Sequence, residues 1–390
     1  LRNIDYFNFP KLRLLFITFI LLLNVLTPVK EVKAVQTIGL SAKSAILMEQ
    51  KTGRIIFERD AHTKRKIASI TKIMTAIIAI ESGKLKDEVT ITPEMIKTEG
   101  SSIYLQVGEK ISLEELVYGL MLRSGNDAAQ AIAITVGGSL PGFVMMMNDK
   151  AAWIGMTDTN FTNPHGLDDG DKHVSTAYDM ALLTKYAMGN KIFRQVSSTK
   201  VYKPTIENRE WSSVWKNKNK MLTKYYKFCT GGKTGFTKAA GRTLVSTAEK
   251  NGMKLIAVTI DASDDWNDHR YMFELAYEKY KLNTFIDKGY LLGVGKEPLR
   301  NHIGLDSALI YPTSPKENES IEVKYTLLDI DPTKVSKNKI PHVVGVVELW
   351  LNNKIISSKP IYYKKNEYKK TFLEELNGVF HTFIGSNPNG

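Results

Sequence analysis

Apolar positions change period along the chain in a way that brackets a helical middle between two sets of strands. Ser44-Ala45-Ile46-Leu47-Met48 and Arg54-Ile55-Ile56-Phe57 flank the turn Lys51-Thr52-Gly53 and predict two strands. Ile70, Ile73, Met74, Ile77 and Ile78 then recur at the spacing of a buried helical stripe, so a helix follows Ser69. Helical patterning returns over residues 113–122. Arg123-Ser124-Gly125-Asn126 interrupts it with turn chemistry, and residues 127–136 resume as a helix. Residues 142–186 alternate helix and loop. Residues 229–237, 243–247 and 254–260 predict three strands, and a helix over 268–280 closes the region. Strands, a helical insert and strands again predict an α+β fold, with helices packed on an antiparallel sheet.

From about Phe285 the period becomes two. Residues 321–327, 343–351 and 355–363 alternate apolar and polar positions between Asn-Lys and Pro-containing turns, which predicts a small all-β domain. The last segment is helical: Phe372, Leu373, Leu376, Val379, Phe380, Phe383 and Ile384 share one face, opposite Glu374, Glu375, Asn377 and His381. Lys364, Lys365, Lys369 and Lys370 lie just upstream. An aromatic apolar face beside a lysine cluster suits an amphipathic helix lying on a membrane surface; a helix packed on its own domain is the alternative.

At the other end, Arg2, Lys11 and Arg13 precede a lipophilic run over residues 14–23 that continues through Val25 and Leu26. Val32-Lys33-Ala34 places small residues where a signal peptidase reads. The run is shorter than the ~20 residues of a comfortable span, so a cleaved signal peptide is expected over a retained anchor, and with it an exported protein. The expected organisation is a signal peptide at 1–34, a catalytic domain at 35–283, a β-sandwich-like domain at 284–366 and the amphipathic helix at 367–386.

The 390 residues carry a formal net charge of +12. The lysines are scattered, without the arginine-rich stripe or aromatic-basic interleaving of nucleic-acid binders, so nucleic acid is not an expected partner. The single cysteine, Cys229, excludes an internal disulfide. No histidine lies within thirty residues of it to activate a thiol, so it reads as structural.

Three short motifs carry chemistry: Ser69-Ile70-Thr71-Lys72, Ser124-Gly125-Asn126 and Lys233-Thr234-Gly235. Ser69 and Lys72 are three apart at a helix start, so they share a face and the amine reaches the hydroxyl. Ser-x-x-Lys recurs at Ser197-Ser198-Thr199-Lys200 and Ser213-Val214-Trp215-Lys216, in stretches without an apolar stripe, and these copies read as accidental. A serine nucleophile needs a base, and Lys72 serves as one if burial and a neighbouring cation such as Lys233 lower its pKa. Ser124 is placed to relay a proton to a leaving amine, and Asn126 to hold a substrate amide. Asn163-Pro164-His165-Gly166, with Asp168, Asp169, Asp171 and His173 nearby, has no metal-ligand spacing and reads as turn structure. No metal and no cofactor is expected.

These residues resemble the low-molecular-mass penicillin-binding proteins that act as D-alanyl-D-alanine carboxypeptidases. The likeness extends through Ala68 to Ala76, Ser124 to Ala129, Asn163 to Leu167, Ser175 to Ala181 and Gly232 to Thr237 with Ala240-Gly241-Arg242. It covers roughly residues 40 to 365. Two departures stand out: Ile67 replaces a usual proline, and Thr230 an aspartate.

The resemblance implies that Ser69 forms an acyl-enzyme with peptidoglycan stem peptides and releases the terminal D-alanine. It implies that Lys233, Thr234 and Gly235 bind substrate and that the N–H groups of Ser69 and Phe236 form the oxyanion hole. It also implies inhibition by β-lactams and a place at the extracytoplasmic face of the cell membrane or in the wall. Which lysine or serine moves which proton stays open. A class A β-lactamase shares the serine and lysines but uses a glutamate for deacylation, and no glutamate occurs between Asp127 and Ile206. A cross-link-cutting peptidase, or a wall-binding scaffold with a residual site, are the other readings.

Overall fold

A computed structural model describes residues 39–206, 214–331, 333 and 339–364. The chain divides into a unit of Leu1–Leu40, of which only the last two residues are described, and a unit of Ser41–Gly390, to which everything below refers. The expected signal peptide and the expected helix at 367–386 lie outside the described residues.

The larger unit mixes helices with antiparallel sheets. β1 (Ser44–Glu49) and β2 (Ile55–Arg59) form the first hairpin. β3 (Glu88–Thr90) with β4 (Lys110–Ser112), and β5 (Val201–Tyr202) with β6 (Trp215–Lys216), are small ribbons within the helical insert. β7 (Cys229–Thr237), β8 (Gly241–Lys250) and β9 (Met253–Ile260) return to the first hairpin and complete a sheet in the order β2-β1-β9-β8-β7. β1 is buried at all six positions because it lies inside the sheet, between β2 and β9, and is covered on both faces, which explains its run of small and apolar residues. Helix Asp265–Lys279 packs on β8 and β9, and helix Ala177–Ala187 on β1 and β9. β7 is left as an edge strand, so one side of Lys233-Thr234-Gly235 faces away from the ladder.

Helix Lys72–Glu81 runs through the centre of the core, buried at every position but its last. A helix apolar on nearly all sides belongs inside, which makes the charged Lys72 at its start conspicuous. The expected helix over 113–122 divides into two parts. An α-helix at Leu113–Tyr118, opened by a Ser112–Glu115 capping box, widens to a π-turn at Gly119–Arg123, and Ser124 follows at φ 65°. Helix Asn126–Gly137 begins two residues later. The wide turn and the left-handed Ser124 are how Ser124-Gly125-Asn126 becomes a corner between two buried helices. Helix Asp265–Lys279 starts three residues earlier than the apolar pattern suggests.

After that helix, β10 (Lys281–Ile286) pairs with β13 (Leu309–Thr313), so the expected boundary at 283/284 falls inside a strand. β11 (Gly289–Tyr290), β12 (Ile303–Leu305), β14 (Glu322–Leu327), β15 (Val343–Leu351) and β16 (Lys354–Tyr363) form a second antiparallel sheet, ordered β11-β12-β16-β15-β14. It has its own core around Ile303, Leu305, Val344, Val347, Leu349 and Ile361. The region is not wholly β, because Ser314 caps a one-turn helix at Pro315–Asn318. Arg54 ties the two parts together: its guanidinium meets the Glu317 carboxylate at 2.6 Å, bonds the Pro312 carbonyl and lies against the rings of Tyr280 and Tyr311.

Candidate active site

The three motifs converge where the start of helix Lys72–Glu81, the 124–126 corner and β7 meet. Ser69 sits in a 3-10 turn, Ala68–Thr71, that leads directly into the helix. The Lys72 Nζ lies 3.0 Å from Ser69 Oγ, 2.7 Å from Asn126 Oδ1 and 2.6 Å from the His165 carbonyl. Asn126 Nδ2 donates to the Glu99 carbonyl, which turns Oδ1 toward the amine. Two of the three neighbours of Nζ are therefore carbonyl oxygens that only accept. A neutral amine with two N–H bonds satisfies both and leaves its lone pair facing the Ser69 hydroxyl.

Electrostatics favour that neutral form. Burial first, then the charges of Lys233 and Lys218, hold the Lys72 amine well below the usual lysine range, against the opposing pull of Asp127. Lys233 Nζ donates to Ser124 Oγ at 3.0 Å and to the Thr234 carbonyl at 2.7 Å. Burial, aided by the charge of Lys218, lowers its pKa to about 7. Lys218, exposed at the rim, donates to Ser101 Oγ at 3.2 Å. Burial and Arg123 lower its pKa in turn.

β7 approaches the nucleophile closely. In register, Lys233 pairs with Val245, Thr234 with Leu244 and Gly235 with Thr243. A Cβ on Gly235 would lie 2.8 Å from the Ser69 nitrogen and inside contact with Thr243 Oγ1, so only glycine lets the strand run past the serine. The next residue, Phe236, projects its ring to solvent, 66 % exposed. Thr243 Oγ1 donates to the Ile67 carbonyl at 3.0 Å and fixes the chain entering the serine turn.

The structure brings the three motifs together at Ser69, with two differences in detail. Both ends of the Asn126 amide are engaged by protein, one of them by Lys72 itself. His165 acts through its backbone carbonyl, while its ring accepts from Leu167 N–H at 3.2 Å. Burial above all lowers the His165 ring to about 3. Among the described residues no group of three or more His, Cys, Asp or Glu side chains is placed to hold a metal. Burial pushes the Cys229 thiol up to about 12, so it is a poor nucleophile.

Four residues support the site from positions whose role the motifs did not give. Asp127 accepts from Ser102 Oγ and from the N–H groups of Ile103 and Leu105, which folds the 102–105 loop against the site. Its position directly after Ser124-Gly125-Asn126 is the signal that pointed there. Thr71 and His173 bond each other beneath the serine turn. Ser197, in one of the extra Ser-x-x-Lys copies, faces inward from helix Lys191–Ser198, and its Oγ accepts from Gly232 N–H at 2.9 Å. It supports β7 and lies away from Ser69; nothing in its local sequence announces this.

A buried lysine amine turned to a serine hydroxyl, beside a Lys-Thr-Gly edge strand, defines a serine-type peptidase of the penicillin-recognising class. Comparison with known proteins carries this further. The family model described as D-alanyl-D-alanine carboxypeptidase matches residues 31–264. D-alanyl-D-alanine carboxypeptidase DacA of Escherichia coli is 30% identical over 379 residues, 89% of each chain. D-alanyl-D-alanine carboxypeptidase DacF of Bacillus subtilis is 27% identical over 348 residues, 86% of this chain and 88% of that protein. Among solved structures, penicillin binding protein 5 from Haemophilus influenzae superposes with a TM-score of 0.70 at 25% identity, covering 85% of this chain and 98% of that one. The chain belongs to the D-alanyl-D-alanine carboxypeptidase family and is a serine-type enzyme.

Proposed function

We propose that this enzyme removes the terminal D-alanine of peptidoglycan stem peptides through an acyl-enzyme on Ser69. Ser69 Oγ attacks the carbonyl between the last two D-alanines, and its proton passes to the Lys72 lone pair. The N–H groups of Ser69 and Phe236 receive the developing oxyanion, typically worth about 3 kcal/mol per donor. The C–N bond then breaks. The proton taken by Lys72 passes to the departing amine by way of the Ser124 hydroxyl, which Lys233 holds in place, so Lys72 is neutral again as free D-alanine leaves. Water adds to the Ser69 ester as Lys72 takes its proton, the C–O bond breaks, Ser69 Oγ takes that proton back, and the shortened peptide departs. Lys233, with Thr234, holds the terminal carboxylate, and Gly235 lets the peptide backbone lie along β7.

The observation that carries this reading is the Lys72 amine held between two acceptor carbonyls with its remaining position toward Ser69. The test is release of D-alanine from a tripeptide ending in D-Ala-D-Ala. Stoichiometric release with repeated turnover is expected; a folded protein that binds the peptide without releasing D-alanine contradicts it.

The proposed substrate class supports a reaction outside the cell membrane. The basic and lipophilic pattern of residues 1–34 supports export, and the aromatic face of residues 367–386 beside four lysines supports attachment to a membrane surface. β-Lactams are inhibitors in this reading because they acylate Ser69. Truncation after Glu367 is expected to release the protein from anionic lipid vesicles; unchanged binding would remove the helix from the account.

A further inference from the structure

The peptide between Ala68 and Ser69 is under an unusual constraint. Ala68 adopts φ 48°, a left-handed conformation that costs a residue with a Cβ about 1–3 kcal/mol, so its surroundings must hold it there. This peptide also carries the Ser69 N–H, and the direction of that N–H is set by where the Ala68 carbonyl is held at the opposite side of the same plane.

The carbonyl is held by a chain of hydrogen bonds with one consistent proton order. Thr162 N–H donates to His173 Nδ1 at 3.1 Å, so Nδ1 is an acceptor and the ring proton is on Nε2. Nε2 lies 2.8 Å from Thr71 Oγ1 and donates to it. The Thr71 hydroxyl is then free to donate its single proton to the Ala68 carbonyl, also at 2.8 Å. Beyond Thr162 the links are sequestered: Ala68, Thr71 and His173 are buried. Burial keeps the ring neutral, with a pKa of about 4 despite the pull of Asp169 and Asp168.

The opposite wall is equally specific. Gly166 stands at φ 88°, and a Cβ there would penetrate the Ala68 carbonyl and lie 2.8 Å from Thr71 Oγ1. The same 162–166 loop supplies the His165 carbonyl to Lys72 and the Pro164 carbonyl to Thr75 Oγ1 at 2.6 Å. His173 therefore joins the loop that holds the base to the turn that holds the nucleophile.

We infer that His173, acting through the Thr71 hydroxyl, is a positioning residue that fixes the strained Ala68–Ser69 peptide and so aims the Ser69 N–H at the carbonyl under attack. This rests on the proposed acylation of Ser69. Neither side chain touches substrate. Their effect is on the rate of both acylation and deacylation, since one N–H serves both, with little effect on binding before reaction.

The experiment is stopped-flow acylation by benzylpenicillin, corrected for folded protein, with Thr71→Val, Thr71→Ser, His173→Leu and His173→Gln. Thr71→Val keeps the shape and removes the hydroxyl; its first-order acylation constant is expected to fall roughly 10–100-fold, with the preceding dissociation constant within about 3-fold of wild type. Thr71→Ser restores the hydroxyl and is expected within about 3-fold of wild type. His173→Gln, whose amide can donate to Thr71, is expected to exceed His173→Leu by about 10-fold.

Wild-type rates in Thr71→Val, or equal losses in Thr71→Val and Thr71→Ser, overturn the inference while leaving Ser69 acylation intact. Should Thr71→Val not fold, equal rates in the two His173 variants overturn it. A wild-type protein that forms no adduct removes the serine reading and this inference together.

Discussion

Replacing Lys72 with methionine is expected to lower kcat for D-alanine release by about 10³-fold or more, because the variant keeps an unbranched side chain nearly as long and loses the amine lone pair. Its surroundings leave no substitute. Asn126 Oδ1 and the His165 carbonyl only accept, and the nearby Lys233 already donates to Ser124 and the Thr234 carbonyl. Arginine at this position is expected to be equally inactive, since a guanidinium does not deprotonate in this range. The measurement is D-alanine release per folded molecule, with the fold checked by circular dichroism. A Lys72→Met variant with more than a tenth of wild-type kcat would assign the base elsewhere.

Lys233→Met is expected to melt higher than wild type at pH 6, with the difference shrinking as pH rises toward 10. Lys233 has a pKa of about 7 in the fold against 10.5 for a free lysine. Between those values the unfolded chain holds a proton that the folded one does not, so wild-type stability falls as pH drops from about 10.5 to 7. Below pH 7 the full cost of charging a buried amine is present; above 10.5 it is gone. Each pKa unit is about 1.4 kcal/mol, and the two lost hydrogen bonds return about 1 kcal/mol each. A net gain of at least about 1 kcal/mol at pH 6, roughly 2–4 °C, is the expected result. The same variant should lose affinity for peptides with a free terminal carboxylate. A lower melting temperature at pH 6, or a gap that does not change with pH, contradicts a depressed Lys233. Such a trade of stability for a charged site is common where function requires a buried cation.

Much of this was legible in the sequence because the relevant signals are local. The stripe from Ile70 to Ile78 exposed the central helix, and turn chemistry at Arg123–Asn126 exposed the corner between two helices. Strand-like runs separated by turns over residues 229–260 exposed β7, β8 and β9. The ribbons β3–β4 and β5–β6 escaped because two- and three-residue strands have no period to read. Helix Lys191–Ser198 escaped because its apolar positions are only Ile192, Phe193 and Val196, and its inward Ser197 resembles a polar loop residue.

The site divides in the same way. Ser69, Lys72, Ser124, Asn126 and Lys233-Thr234-Gly235 announce themselves by spacing. Their supports depend on long-range contact: His173 reaches Thr71 from 102 positions away, and His165 reaches Lys72 through a carbonyl that every residue type possesses. No local pattern encodes a backbone acceptor. The expectation that Asn126 holds a substrate amide shows the limit most clearly, since the spacing gave the residue and only the geometry revealed its bond to the lysine.

The most direct test of the account is intact-mass analysis of the protein incubated with benzylpenicillin, beside a Ser69→Ala variant. The account predicts a mass gain of one penicilloyl group in wild type and none in the variant. An adduct that persists in Ser69→Ala, or a folded wild-type protein that gains no mass and does not hydrolyse the drug, would contradict Ser69 as the nucleophile.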